Sequence, residues 1–133
     1  MAVTRFGVSS EANLLEALDE YAKDNKFANR SQAIRYLIEK NLVERKWQCN
    51  RIVAGAVVIL YDQHKREVMN KLSDIQHDFH EQILSSQHFH LNHDNCLEII
   101  AVKGPAAKLT ELSDLLISIK GIKHGKLIMS QTD

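Results

Sequence analysis

Residues 88–102 read His88-Phe89-His90-Leu91-Asn92-His93-Asp94-Asn95-Cys96-Leu97-Glu98-Ile99-Ile100-Ala101-Val102, and their alternation decides the architecture of the C-terminal part. Two short extended runs, 88–91 and 96–102, flank a polar turn at 92–95, which is the signature of a hairpin. Upstream lie an apolar strand over 52–61 and a helix over 64–85, the latter with a stripe of Val68, Leu72, Ile75, Phe79 and Ile83 at helical spacing. Downstream, a helix over 106–119 and a strand over 123–129 complete the order βαββαβ. That order specifies a ferredoxin-like antiparallel sheet with two helices on one face.

The first 50 residues follow a different pattern. Phe6 and Val8 alternate with Arg5, Gly7 and Ser9, as in a short strand with one buried face. Ser10 is placed to cap a helix carrying Leu14, Leu18 and Tyr21 and ending near Asn25, and Asn29 with Gln32 forms a capping box for a second helix with Ile34, Leu37, Ile38 and Leu42. About 45 residues cannot bury an independent core, and a lone strand leaves both edges unpaired. Two copies pairing their strands antiparallel relieve both problems. The resulting ribbon presents Arg5, Gly7 and Ser9 twice and fits a DNA major groove; a dimerisation module without a DNA role is the alternative. Residues 44–51 are polar and read as a linker, so the chain divides into a βαα unit over 1–46, a linker over 47–51 and a second domain over 52–133.

Composition bounds the function. A 44% apolar content with one proline among 133 residues belongs to a folded chain rather than a disordered one. The apolar run 52–60 is too short for a membrane helix and the N-terminus lacks a signal core, so no membrane role and a cytoplasmic location are expected. Cys49 and Cys96 are too few for a disulfide scaffold and read as free thiols or ligands. Seventeen basic against seventeen acidic side chains exclude a binder that works by net charge alone.

All seven histidines follow residue 63. His88 and His90 share a strand face, and Cys96 lies across the turn, so three nitrogen and sulfur donors converge on one hairpin. Glu98, on the same strand face as Cys96, is a candidate acceptor for a ligand's N–H. His77 sits about 160–200° around its helix from Ile75 and Phe79 and points away from the core, where it can complete a site on another subunit. One thiolate and three imidazoles suit nickel(II) or copper(II) in a square plane, or zinc in a tetrahedron. His93, in the turn, is a candidate for a secondary metal site. Four protein donors leave no open position for substrate, and no phosphate loop or nucleophile-base motif is present, so no enzyme is expected.

Ile75-Gln76-His77, His88-Phe89-His90, Asn95-Cys96-Leu97-Glu98, Val102-Lys103-Gly104 and Gly121-Ile122-Lys123-His124-Gly125, together with Asn29-Arg30-Ser31 and Ala33-Ile34-Arg35, resemble the nickel-responsive transcriptional regulators, the NikR family. The resemblance covers essentially the whole chain. It implies an α+β protein with an N-terminal ribbon-helix-helix domain and an ACT-type ferredoxin-like domain. A homotetramer, built as a dimer of dimers, would repress from a palindromic operator in double-stranded DNA. By similarity His88, His90 and Cys96 of one chain and His77 of another bind Ni(II) in square-planar geometry, one ion per subunit. Arg5 and Ser9, with the ribbon position Gly7, would face bases, and Asn29, Arg30 and Ser31 would face phosphate. The sequence departs from the family at Gly7, where relatives often have Thr or Ser, and at Gln32 and Tyr36, where many have acidic residues that help hold a second cation. A nickel storage or chaperone protein and a small-molecule-responsive ribbon-helix-helix regulator are the rival expectations.

Overall fold

The structure, a computed structural model, describes residues 2–132. The chain divides into two compact units, Met1–Asn41 and Leu42–Asp133. Among the described residues no helix is long and apolar enough to cross a membrane.

The larger unit is built on strand β1, Ile52–Asp62, in which Val53, Val57, Ile59 and Tyr61 alternate inward. Helix α3 (Arg66–Asp78), strand β2 (Ile83–His90), strand β3 (Asn95–Pro105), helix α4 (Ala106–Ile117) and strand β4 (Ile122–Met129) follow. They form one four-stranded antiparallel sheet in the order β2-β3-β1-β4, as the βαββαβ reading requires. Both helices cover the same sheet face. Val68 and Leu72 of α3, and Leu109, Leu112 and Leu116 of α4, join Val57, Ile59, Ile100 and Val102 in one core. Each fully buried leucine contributes about 1.5–3 kcal/mol.

Two expected boundaries moved. The helix read as 64–85 ends at Asp78. Phe79, at its C-terminal cap, keeps its buried place in the stripe, but the chain then turns, with Gln82 N–H donating to the Phe79 carbonyl at 2.9 Å. Ile83 opens β2 opposite Val102; its spacing from Phe79 satisfies a helix and its β-branched side chain a strand. The polar stretch 44–51, read as a linker, is helical through Gln48, because helix α2 spans Arg30–Gln48. Val43 and Trp47, four residues apart, hold that last segment on the core of the larger unit. Asn50, at φ 53°, supplies the left-handed turn that ends it, and its Oδ1 accepts from the Ala107 amide at 2.8 Å.

Trp47 Nε1 donates to the Ser130 carbonyl at 2.9 Å. Its ring lies over Gly55, where a Cβ would stand 3.3 Å from the indole and 2.4 Å from the Ile128 carbonyl oxygen. Only glycine allows β4 and the indole to approach this closely.

In the smaller unit, α1 spans Ala12–Asp24. The cap expected from Ser10 does not form: its hydroxyl donates to the Glu11 carbonyl instead, and Glu11 is the capping residue without a side-chain bond. The capping box of α2 forms with its return bond shifted by one residue, to Ala28 rather than to Asn29. Gln32 N–H donates to Asn29 Oδ1 at 2.9 Å, and Gln32 Oε1 reaches back to the Ala28 N–H at 3.0 Å. Residues 2–10 have no regular structure, so the strand expected at 5–9 is not formed within one chain. Its ladder partner in the expected ribbon is a second chain, and a strand with nothing to pair against has no hydrogen bonds to hold it. Ala22 and Ala33 are buried here, while Phe6, Val8, Leu14, Leu37 and Ile38 are exposed.

Candidate metal centre

The site grows from the pairing of β2 with β3. His88 stands opposite Glu98 and His90 opposite Cys96. Directly opposed residues share a sheet face, so all four, with Ser86 opposite Ile100, lie on the helix-covered side. β3 runs inside the sheet and buries Cys96 and Glu98, whereas β2 is the edge strand and leaves His88 and His90 exposed. Cys96 Sγ lies 3.9 Å from His88 Nδ1.

Beneath this pair, Glu98 is 1% exposed and its carboxylate is fully engaged. Oε1 accepts from the Tyr61 hydroxyl at 2.7 Å and lies 3.5 Å from His88 Nδ1. Oε2 accepts from Ser86 Oγ at 2.6 Å and from Gln76 Nε2 at 2.9 Å. Three elements, β1, α3 and β2, thus converge on one carboxylate of β3. Tyr61 Oη is also 3.2 Å from His88 Nδ1. Since its single proton goes to Glu98, the phenol oxygen can only accept from the imidazole. The expected role of Glu98 as acceptor for a ligand's N–H is thereby relayed largely through Tyr61.

Burial, reinforced by the hydrogen bond and charge of Glu98 and then by Cys96, pushes the Tyr61 phenol well above its ordinary value. It therefore remains a donor throughout the physiological range. An unfolded chain ionises this tyrosine near pH 10 while the folded chain does not, so protons favour the fold. Its contribution is complete below about pH 10 and falls as pH rises above it. Thermal melts between pH 8 and 11 are expected to show a steeper alkaline loss for the wild-type chain than for Tyr61→Phe.

His77 lies exposed in the last turn of α3, its ring stacked 6.2 Å from that of His80. His88, His90 and Cys96 share a face, but their donor atoms do not all close within 4.8 Å of one another; among the described residues the group that does is His64, His93 and Asp94. Cys49 is exposed and Cys96 buried, both free. Residue patterning missed Tyr61, Gln76 and Ser86, although the alternation that pairs His88 with His90 also places Ser86 beside them.

Of the expected DNA-facing residues, Arg5, Gly7 and Ser9 are exposed in the irregular segment, and Ser31 is exposed in the first turn of α2. Asn29 is occupied in capping. Arg30 makes a bidentate pair with Asp19 at 2.7 and 3.0 Å, a hydrogen bond that holds the Asp19 carboxyl below its ordinary value. Gln32 serves the capping box, and Tyr36 packs on Phe27 with ring centroids 5.4 Å apart.

The donor set fits a borderline or soft transition ion. With Nδ1 of His88 donating to Tyr61, Nε2 is the nitrogen left to bind metal, and the ordered network orients the imidazole as a metal ligand needs.

Residues 54–130 match the family model described as the NikR C terminal nickel binding domain. A protein named as a nickel-responsive regulator from Syntrophus aciditrophicus (strain SB) is 50% identical over 128 residues, covering 96% of this chain and 93% of that protein. Another so named, from Chlorobium phaeobacteroides, is 50% identical over 131 residues and covers 98% of each. Among solved structures, the uncharacterized protein TM1266 from Thermotoga maritima shares the fold with a TM-score of 0.54 and 16% identity, over 59% of this chain and 98% of that one.

Proposed function

We propose that this chain, which belongs to the nickel-responsive regulator family NikR, is a nickel-dependent repressor that binds a palindromic DNA operator. His88, His90 and Cys96 of one chain and His77 of another hold one Ni(II) per subunit in a homotetramer, a dimer of dimers. The observation that carries this reading is the buried Cys96 thiol 3.9 Å from His88, on a hairpin tied to Glu98, Tyr61, Gln76 and Ser86. Bound metal would supply a link between chains that no single chain can make.

Two apolar surfaces, one exposed and one half-buried, support the assembly. Phe6, Val8, Leu14, Leu37 and Ile38 lie uncovered in the smaller unit, which fits a βαα segment that acquires its core by pairing with a second copy in a ribbon-helix-helix dimer. On the sheet face away from α3 and α4, Val58 stands beside Ile99, Leu60 beside Leu97, and Leu97 beside Phe89, an apolar face suited to subunit contact.

Arg5 and Ser9 then read bases from the ribbon, with Gly7 admitting close approach of the backbone. The N-terminus of α2 at Asn29 to Ser31 takes phosphate. By linkage, operator DNA tightens nickel binding by the factor by which nickel tightens DNA binding. Because the ligands bind deprotonated, nickel affinity falls as the solution is acidified.

A gel shift with and without Ni(II) tests the reading. Arg5→Ala is expected to lose about 1–3 kcal/mol of operator binding for each base contact removed while keeping its full nickel equivalent. Specific operator binding that is indifferent to nickel would overturn the proposal.

A further inference from the structure

Arg30 is the first residue of α2, and its guanidinium is already committed. Nε donates to Asp19 Oδ1 at 2.7 Å and Nη2 to Asp19 Oδ2 at 3.0 Å, so one edge of the planar fork is matched to both oxygens of a carboxylate on α1. Both side chains remain about half exposed.

The pairing has a local cause. A cation in the first turn of a helix sits at the positive end of the helix dipole, where it is unfavourable. Helix α2 has no acidic residue in its own first turn, and the carboxylate that offsets Arg30 stands eleven residues earlier in the chain. Both partners lie within Met1–Asn41. The hydrogen bond from Arg30 and its charge hold the Asp19 carboxyl below its ordinary range, so the carboxylate is ionised at neutral pH.

The consequence for DNA concerns charge rather than reach. Three of the five guanidinium N–H groups stay outside the pair. A protein gains affinity for the duplex backbone, however, by exchanging its own cationic charge for condensed counterions. An arginine compensated by a carboxylate has no net charge to exchange, and a phosphate brought to its open edge is repelled by Asp19. The backbone amides at the start of α2 carry no such counter-charge.

We propose that Asp19 restrains sequence-independent DNA binding: it serves Arg30 as an internal counter-ion and keeps that guanidinium from neutralising a phosphate. Phosphate contacts carry no sequence information, so withholding one leaves occupancy to depend more on the base contacts of the ribbon. The phosphate-facing role expected of the Arg30 side chain passes to the amides beside it. This role of Asp19 rests on the DNA-binding reading above.

Four full-length chains test it: wild type, Asp19→Asn, Arg30→Gln and the double variant, each checked by circular dichroism. Binding to a mixed-sequence duplex without a palindrome is followed by fluorescence anisotropy between about 50 and 200 mM KCl. Asp19→Asn is expected to steepen the dependence of log affinity on log salt by about 0.9 for each Arg30 copy that gains a phosphate, about a threefold change in affinity per copy over that range. Asp19→Ser, which also removes the charge, is expected to behave alike. Changing one charge also acts at long range, so the deciding quantity is the cycle. Arg30→Gln is expected to flatten the slope by about 0.9 per copy more in the Asp19→Asn background than in wild type. Equal effects in the two backgrounds, with operator binding still nickel-dependent, would overturn the role of Asp19 and leave the regulator reading standing. A cycle of the expected size without nickel-dependent operator binding would overturn nickel control and uphold the role of Asp19. Binding of no duplex by any of the chains would overturn both.

Discussion

Cys96→Ala is expected to abolish nickel–thiolate absorption and, with it, nickel-dependent operator binding. Cys96 and Cys49 are the chain's two thiols, and Cys49 is exposed beyond the end of α2, so Cys49→Ala serves as the control that changes neither property. Removing one sulfur from a buried strand position costs about 1 kcal/mol of packing, comparable to a lost methylene, which leaves the fold in place. Changing even the hydrogen-bonding partner of a ligand typically costs about 10–100-fold in metal affinity, and deleting the anionic ligand itself is expected to cost more. Titration with Ni(II), followed by absorption and by gel shift on the same samples, separates loss of metal from loss of fold.

Glu98→Ala is expected to have the largest effect on stability of any substitution near the site. Its carboxylate is the shared acceptor for the Tyr61 hydroxyl, Ser86 and Gln76. Removing it leaves these donors around a cavity. Stranding a buried donor costs about 1–3 kcal/mol, and even with partial rescue by entering water a loss of about 3 kcal/mol follows. Denaturant unfolding monitors that loss. Nickel affinity should fall too, by about 10–100-fold, because His88 loses the anchor relayed through Tyr61. In contrast, Tyr61→Phe retains the carboxylate and two of its donors, so its losses should be smaller in both measurements.

Strand periodicity made most of the regulatory unit legible. Alternation over 52–61 and 96–102 located the central strands, and the spacing of His88, His90 and Cys96 located donors that register places on one face. Helical periodicity misled at Ile83, because an apolar residue four positions after Phe79 fits a helix as well as an edge strand. The chain's path there is settled by pairing with Val102, a contact 19 residues distant that no local pattern carries. The same limit hid the network around Glu98, whose partners Tyr61 and Gln76 come from two other elements, and the turn cluster, in which His64 and His93 meet only because β1 and β3 end together. The short run at 5–9 was legible as a strand pattern, yet its expected hydrogen-bonding partner belongs to a second copy. Within one chain that pattern has nothing to act on.

The chain has a single tryptophan, and its environment makes it an optical reporter. Trp47 is buried against Gly55 and bonded to the Ser130 carbonyl, contacts that all lie within Leu42–Asp133. Its emission therefore registers melting of that unit, and no indole lies in Met1–Asn41. Far-ultraviolet dichroism collects signal from α1 and all of α2 as well. A gap between the two melting curves would measure how far the units unfold independently, since coincident probes are the mark of one cooperative transition. Native fluorescence thus allows domain coupling in this chain to be followed without any label.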